Sequence, residues 1–189
     1  MQRMFKASCG ATEYQRQGKG FVFPNLCGEL CPHCRSDYLR AHGYYSRYLI
    51  LEDFSGEILV RRYICKECRR TVSLLPSFAH PGRAYGTKLV VDVLYNYYAM
   101  GKRICDIAAD SVCSRQLFRW FRIRIVQNLN MLAMGLTNAL CLRGPPLGAV
   151  AEKTRVGQFF SYIRSYDTED ISLKIFGHSR RTYLTPLSR

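Results

Sequence analysis

Four cysteines form two closely spaced pairs in the N-terminal half of the chain. Cys31 and Cys34 stand in the run C-P-H-C, and Cys65 and Cys68 stand in the run C-K-E-C, with 30 residues between the pairs. Each C-x-x-C turn presents two thiolates, and two such turns can close a tetrahedral site around one zinc ion. Four thiolates leave no open coordination position, so we predict a single structural Zn2+ and not a catalytic one.

Two neighbouring residues are alternative ligands. Cys27 lies four residues before Cys31, and His33 lies inside the first pair, so either could replace a cysteine. A redox C-x-x-C motif is another interpretation, but it does not account for a second pair at the same spacing. Three further cysteines fall in the predicted helical region and are expected to be small core residues: Cys105, Cys113 and Cys141.

Two segments rich in aromatic and β-branched residues, 44–51 and 58–64, lie between the cysteine pairs. The run E-D-F-S-G-E between them is typical of a turn. We therefore predict a β-hairpin flanked by two metal-binding turns, which is the layout of a zinc ribbon over residues 27–80. Arg61 and Arg62 on this hairpin are candidate contacts to DNA, although a half-buried hairpin with no ligand would show the same alternation.

Helical periodicity follows the hairpin after an ordered linker that contains proline and glycine. A first helix is predicted to begin near Thr87, and a short second helix spans residues 103–110. Ser114 can cap a long third helix, whose apolar residues recur every three or four positions as far as Leu140, before R-G-P-P stops it. A short helix, a turn and a long helix predict a helix-turn-helix within residues 81–142, and the whole chain is predicted to be an α+β protein.

The start of the third helix carries side chains that suit DNA recognition. In the major groove Arg reads guanine and Gln reads adenine, while other Arg and Lys side chains bind phosphates. An ordinary helix with a solvated basic face is the alternative interpretation, and Trp120 is expected in the core. The predicted DNA-binding residues here are Lys102, Arg103, Ser114, Arg115, Gln116, Arg119, Arg122 and Arg124, of which Arg115, Gln116 and Arg119 are expected to reach base edges.

Composition favours a polyanionic partner. The chain has 28 Lys and Arg against 14 Asp and Glu, a net charge of +14. This balance predicts double-stranded DNA as the partner, with an anionic membrane surface as the lesser alternative.

Residues 1–26 are expected to form an N-terminal arm. Residues 143–189 show no clear period and are expected to be a basic tail, in which His178, Arg180 and Arg181 form a solvated patch.

No catalytic constellation stands out, and the chain is predicted not to be an enzyme. Asp167, Glu169 and Asp170 sit together and are expected to lie in a loop; a minimal metal-dependent nuclease that uses them is the alternative. An odd cysteine count and the lack of a leader-like start predict that the protein resides in the reducing cytoplasm. Binding to DNA would place it at the nucleoid. The longest apolar-rich stretch, residues 129–142, is too short to span a bilayer, so no membrane association is expected.

These motifs carry a resemblance to a known group of proteins. The run C-K-E-C-R-R-T at the second pair, L-L-P-S-F at residues 74–78 and the looser S-R-Q-L-F-R-W-F are similar to short bacterial transposase-like proteins. The region resembles the N-terminal zinc ribbons of insertion-sequence transposases, over roughly residues 20–130. The resemblance implies DNA recognition for a mobile genetic element. Because no acidic catalytic domain follows, it implies an accessory, targeting or regulatory factor rather than the transposase itself.

Partners other than DNA are also compatible with the sequence. A protein-interaction module would dock its ribbon and long helix to a transposase, a recombinase or a polymerase. The long helix is also suited to a homodimer, which paired DNA half-sites would require.

Overall fold

The computed structural model describes residues 1–140, residues 151–179 and Tyr183, and over these residues the protein is a mixed α+β fold. Its sheet has four strands: β1 (Gln2–Phe5), β2 (Leu39–Ile50), β3 (Ser55–Cys65) and β4 (Thr71–Pro76). The helices of the described part are α1 (Ala11–Gln17), α2 (Thr87–Tyr98), α3 (Ile104–Asp110), α4 (Arg115–Leu140), α5 (Glu152–Ile163) and α6 (Thr168–Ser179). A 3-10 turn at Gly18–Gly20 follows α1.

The predicted hairpin between the cysteine pairs is confirmed, and its strands are longer than expected. β2 and β3 pair antiparallel, with Leu39 opposite Cys65 at the end where both cysteine turns lie. The pairing shifts after Ala41, where Gly43 takes a φ of 82° that most side chains disfavour. The hairpin therefore brings the two C-x-x-C turns to one end of the sheet.

The hairpin is half of a larger sheet in the order β1-β4-β3-β2. β4 pairs antiparallel with β3, and β1 pairs parallel with β4, with Gln2 opposite Ser73 and Phe5 opposite Pro76. Neither strand is predicted by the sequence, which indicates a linker at residues 71–76 and an arm at residues 1–26. Strands of four and six residues show too little alternation to be recognised alone, and they form because an adjacent strand satisfies their backbone groups.

Helix α1 packs against β3. Tyr14 is fully buried there, and its hydroxyl donates a hydrogen bond to the carbonyl of Leu59 at 2.8 Å. The Tyr14 ring centroid lies 4.6 Å from that of Phe21 and 5.5 Å from that of Phe78. The N-terminal segment is thus part of the core of the sheet and not a separate arm.

The three helices predicted after the hairpin are confirmed as α2, α3 and α4. α2 begins at the predicted residue, Thr87, and α4 begins directly after Ser114. α4 has 26 residues and is about 39 Å long at 1.5 Å per residue. The R-G-P-P run expected to stop it lies outside the described residues. The buried stripe of α4 follows the predicted spacing and includes Phe121, Ile125, Leu129, Leu132 and Leu136.

Two helices, α5 at residues 152–163 and α6 at residues 168–179, occupy the expected basic tail, in which the sequence shows no clear period. On α5, Val156, Phe160 and Ile163 are completely buried at three- and four-residue spacing. α6 begins where the Asp167 carboxylate accepts a 2.8 Å hydrogen bond from the Asp170 N–H. Helices whose apolar stripes are interrupted by polar residues give a weak periodic signal.

The buried side chains form two clusters, one between the sheet and α1 and one among α2 to α6. Polar contacts connect them. Thr87 donates its hydroxyl to the Ser77 carbonyl at 3.1 Å, and Ser77 donates its own hydroxyl to Glu169 at 2.7 Å. Lys6 forms an ion pair with Asp170 at 2.8 Å. In the described part of the chain, no helix has the length and apolar character needed to cross a bilayer.

Close packing of α2 against α5 at Gly157 gives a test of the fold. A Cβ added at Gly157 would lie 2.7 Å from the carbonyl oxygen of Tyr98. Gly157→Ala should therefore force the helices apart and lower the free energy of unfolding by about 1–3 kcal/mol, despite the better helix propensity of alanine. Gly177→Ala is the matched control, because a Cβ in that part of α6 meets nothing within 4 Å. Urea unfolding measures both, and equal stabilities would contradict the close approach.

Candidate metal centre and basic surface

Two backbone turns of the same shape hold the four cysteines. The N–H of Arg35 donates to the carbonyl of Cys31 at 2.9 Å, and the N–H of Arg69 donates to that of Cys65 at 3.0 Å. Arg35 and Arg69 take positive φ values of 65° and 58°, which closes each turn after its second cysteine. Equivalent positions of the two turns therefore have the same conformation, and each turn directs its two sulfur atoms towards the other.

The β2–β3 register brings the two turns into contact. A hydrogen bond of 3.0 Å from the Lys66 N–H to the Tyr38 carbonyl extends the pairing beyond the strands. All four sulfur atoms lie within 4.8 Å of one another. The Sγ atoms of Cys31 and Cys68 are 3.8 Å apart, and those of Cys34 and Cys65 are 3.6 Å apart. These separations match the edge of a tetrahedron with metal–sulfur bonds of about 2.3 Å. The four cysteines can therefore hold a metal ion.

The two thiols of the second pair have different acidities. The N–H of Cys68, together with hydrogen bonds from nearby side chains, lowers the pKa of Cys65 to about 6, although burial opposes the shift. The pKa of Cys68 is raised to about 11, because burial and hydrogen bonds with the neighbouring thiols outweigh a backbone hydrogen bond to its sulfur. Cys31 and Cys65 are buried, whereas Cys34 is exposed at the surface. A metal ligand must be a thiolate, so a lowered thiol pKa favours metal binding at neutral pH. Four sulfur donors leave no position for a substrate, so the site suits a structural ion.

Neither alternative ligand belongs to the cluster. Cys27 is exposed, and its N–H is bonded to the side chain of Asn25 at 3.0 Å. His33 has its Nδ1 3.2 Å from an Arg70 guanidinium nitrogen. The group of potential ligands among the described residues consists of the four cysteines predicted from the sequence.

The remaining predicted core cysteines differ in their environments. Cys113 is buried, as expected, and burial raises the pKa of its thiol to about 11. Cys105 is only partly buried, with its sulfur 3.3 Å from an Asp106 carboxylate oxygen. Cys141 lies outside the described residues. Cys113 packs between α3 and α4, so it helps to fix the turn that precedes α4.

The first turns of α4 expose the side chains predicted to read DNA. Ser114 caps the helix, because its hydroxyl accepts a 3.2 Å hydrogen bond from the Leu117 N–H. Arg115, Gln116 and Arg119 are exposed. Positions 115 and 119 are four residues apart and share one face of the helix. The ion pairs of the described residues include neither arginine, so both guanidinium groups face solvent without a carboxylate partner.

Four other predicted phosphate contacts are engaged within the protein. Arg103 makes two hydrogen bonds of 3.0 Å to Asp106, and Lys102 lies 4.0 Å from Asp110. On α4 the guanidinium groups stack on aromatic rings: Arg122 lies 5.0 Å from the ring centre of Tyr97, and Arg124 lies 5.4 Å from that of Trp120.

Arg61 and Arg62 lie on opposite faces of β3 because adjacent strand residues alternate. Arg61 stacks on Tyr44 at 4.6 Å, and Arg62 stacks on Tyr45 at 5.7 Å. The hairpin arginines therefore do not form one patch. Arg62 shares its face of the hairpin with Tyr45 and Arg47.

Two residues of this region depart from the sequence interpretation. Trp120, which was expected in the core, is partly exposed. The guanidinium of Arg83 stacks on its ring, with the guanidinium carbon 3.9 Å from the ring centre. No sequence pattern singled out Arg83, which lies between β4 and α2. Only the folded chain reveals its position, because its aromatic partner is 37 residues away in sequence.

The tail acids considered for catalysis make contacts within the fold. Glu169 accepts the Ser77 hydroxyl, Asp170 pairs with Lys6, and Asp167 caps α6. The expectation that these acids lie in a loop is wrong for Glu169 and Asp170, which form the first turn of α6. The predicted basic patch of His178, Arg180 and Arg181 cannot be placed: both arginines and the histidine side chain lie outside the described residues.

Part of the chain matches a known protein family. Residues 31–120 are similar to a family described as "Domain of unknown function (DUF6431)". No curated protein and no solved structure shows a significant match to the chain. The matched range begins at the first cysteine of the cluster and ends in the second turn of α4. The chain is therefore similar to this family over the region that contains both the candidate metal centre and the exposed start of α4.

Proposed function

We propose that the protein binds double-stranded DNA through the first turns of α4, on a scaffold that includes a zinc ribbon. The observation that carries the proposal is the exposed face formed by Arg115, Gln116 and Arg119, which follows directly after a short helix and a turn. These side chains have the hydrogen-bonding geometry that reads guanine and adenine in the major groove. The proposed role is binding, and the carboxylates of the tail are assigned to structure.

The proposed metal is zinc. A set of four thiolates is a soft ligand field, which favours zinc or an iron–sulfur cluster over hard cations such as magnesium and calcium. Sulfur separations of 3.6 and 3.8 Å suit a single small ion at the centre. Two C-x-x-C turns at one end of a β-hairpin correspond to the zinc-ribbon layout, and the ion would connect the two turns in place of a larger hydrophobic core.

Zinc content tests the ligand set. The wild-type chain should bind one zinc ion, and the double variant Cys65→Ser, Cys68→Ser should bind none, because two oxygen ligands cannot replace the thiolates. Its melting temperature should fall well below that of the wild type. Cys27→Ser is the matched control, since Cys27 is exposed and outside the cluster. Inductively coupled plasma mass spectrometry gives the stoichiometry; full zinc retention in the double variant would refute the ligand set, and iron in place of zinc would refute the metal.

The proposed DNA-binding unit is a helix-turn-helix formed by α3 and α4. Four residues, 111–114, join the two helices. Ile107 of α3 and Phe118 of α4 are both buried in the helical core, which fixes the angle between the helices. α2 contacts both of them and supports the pair from behind. In such motifs the second helix enters the major groove with its N-terminal residues towards the bases, and in α4 these are the exposed residues.

Electrostatics supports the same surface. The net charge of +14 attracts the phosphate backbone over long range. Arg115 and Arg119 have no carboxylate partner among the described ion pairs, so binding DNA would not require an existing pair to break. Lys102 and Arg103 are paired with Asp110 and Asp106, and phosphates would have to compete with these carboxylates.

The cellular role is proposed from the resemblance to transposase-like proteins. We infer an accessory, targeting or regulatory factor of a mobile genetic element, acting in the cytoplasm at the nucleoid, with a transposase or recombinase as its protein partner. A homodimer through α4 remains a prediction. It would present two copies of the α4 N-terminus to paired half-sites.

Variants of α4 test the DNA interface. A preferred site is first selected from random duplexes with the wild-type protein. Arg115→Ala with Arg119→Ala should then weaken binding to that site by about 100-fold, because removing a bidentate base contact costs about 1–3 kcal/mol of discrimination. The matched control is Lys19→Ala with Lys174→Ala, which removes two charges elsewhere on the protein. Fluorescence anisotropy measures both affinities.

Three outcomes of this experiment would contradict the proposal. Selection without enrichment of any sequence would refute sequence-directed binding. Equal losses of affinity in the α4 variant and the lysine control would mean that the α4 arginines contribute only through their positive charge. Weak, sequence-independent DNA affinity combined with tight capture of a transposase or polymerase would favour the protein-interaction module instead.

A further inference from the structure

A second basic surface lies between the sheet and the segment that joins β4 to α2. Tyr45 and Arg47 of β2 pair with Val60 and Ile58 of β3, so they share a face with Arg62, two residues further along β3. This face presents two guanidinium groups and a tyrosine ring, with Arg62 stacked on Tyr45.

The facing side of this surface comes from α4 and from the loop before α2. Arg83 stacks on Trp120 with its guanidinium carbon 3.9 Å from the ring centre, and Arg124 lies 5.4 Å from the same ring. One indole thus orients two arginines of like charge. Guanidinium groups stay protonated even when they are close together, so both charges persist at neutral pH.

A cavity of about 350 Å³ connects the two sides. Its lining includes Tyr45 and Arg47 from the sheet and Arg83 from the loop, together with Gln2 at the start of β1. This volume lies in the range of sites for small ligands. Of the arginines, Arg47 and Arg83 line this cavity. Arg62 lies next to it on the ring of Tyr45, and Arg124 lies on the same indole as Arg83. We call these four arginines the arginine groove.

The arginine groove has no compensating carboxylate. None of its four members takes part in the ion pairs of the described residues. Arg47 donates to the backbone carbonyl of His80, while its other terminal nitrogen, Nη1, is buried without an acceptor among the described residues. His80 adds no charge, since burial lowers its pKa to about 3. Arginines gathered without an acid, and held in place by aromatic rings, are arranged for an anion.

We propose that the arginine groove binds phosphates of the DNA backbone. This inference rests on the proposed function and extends it: α4 would read the bases, and the groove would hold the adjacent sugar–phosphate chain. Arg47 and Arg83 line the same cavity, so a phosphate held there lies in the field of both positive charges. Trp120 keeps Arg83 and Arg124 oriented, and it belongs to the same helix that carries the proposed base contacts.

Arg83→Gln is the central test, because the Arg83 side chain is only partly buried and its removal should leave the fold intact. On a duplex of unrelated sequence, its affinity should fall about 3- to 10-fold at 0.1 M salt. The slope of log K against log salt concentration should become shallower by about 0.9 for each phosphate that the variant no longer neutralises. Arg83→Lys should keep most of the slope, since it keeps the charge. Arg164→Gln, an exposed arginine paired with Asp92, should behave as wild type.

Inorganic phosphate provides a second readout that does not depend on DNA. Added at constant ionic strength, phosphate should raise the melting temperature of the wild type, because a ligand of the folded state stabilises it. The rise should be absent in Arg83→Gln and in Arg47→Gln. Circular dichroism at 20 °C checks that both variants are folded before they are compared.

The outcomes separate this inference from the proposed function. Wild-type DNA binding with an unchanged salt slope in Arg83→Gln would overturn the arginine groove and leave the α4 proposal intact. If the wild type binds no DNA, the proposed function fails, and the melting experiment with phosphate tests the groove by itself. A rise in melting temperature that is lost in Arg47→Gln and Arg83→Gln supports a phosphate site. A rise that is the same in both variants as in the wild type overturns it. Two results together would support both the groove and the α4 proposal. Arg83→Gln would lose affinity equally for all DNA sequences, and Arg115→Ala with Arg119→Ala would lose affinity mainly for the selected site.

Discussion

The pairing of β2 with β3 is the constraint on which the rest of the structure depends. With Leu39 opposite Cys65, the two C-x-x-C turns meet at one end of the hairpin, and four sulfur atoms come within 4.8 Å. A register one residue away would turn every side chain of the strand to the opposite face and separate the sulfurs. The same register directs Tyr45, Arg47 and Arg62 to one face. A single pattern of backbone hydrogen bonds thus builds the metal centre and one side of the arginine groove.

The other side of the arginine groove is formed at the junction between the sheet and the helices. The two buried clusters meet between Ala79 and Tyr85, and the segment there includes His80 and Arg83. Arg83 reaches the α4 indole, while the His80 carbonyl holds Arg47. The metal centre would stabilise one end of the sheet, and the helical core fixes α4 relative to it. Base reading by α4 and backbone binding by the groove would then be two functions of one rigid unit.

Local patterns account for the parts of the fold that the sequence predicts well. Repeated C-x-x-C spacing identifies the candidate ligands, because a tight turn of four residues is a local structure. α2, α3 and α4 are predictable because their apolar stripes are regular and Ser114 marks a helix start. β1, β4, α5 and α6 escape prediction for the opposite reason. β1 and β4 are short, the apolar stripes of α5 and α6 are interrupted by polar residues, and all four elements form because the sheet and the helical core exist to pack against them.

From the sequence alone came the four candidate ligands, the hairpin between them, the strong positive charge and the exposed residues at the start of α4. These depend on residue type and on spacing along the chain. Tertiary structure decided which cations are available: Arg103 is paired with Asp106, whereas Arg83 stacks on Trp120 beside Arg124. It also placed Glu169 and Asp170 in the first turn of α6, and it placed Tyr14 of the N-terminal segment in the core of the sheet. Such outcomes depend on partners distant in sequence, and only the folded chain brings those partners together.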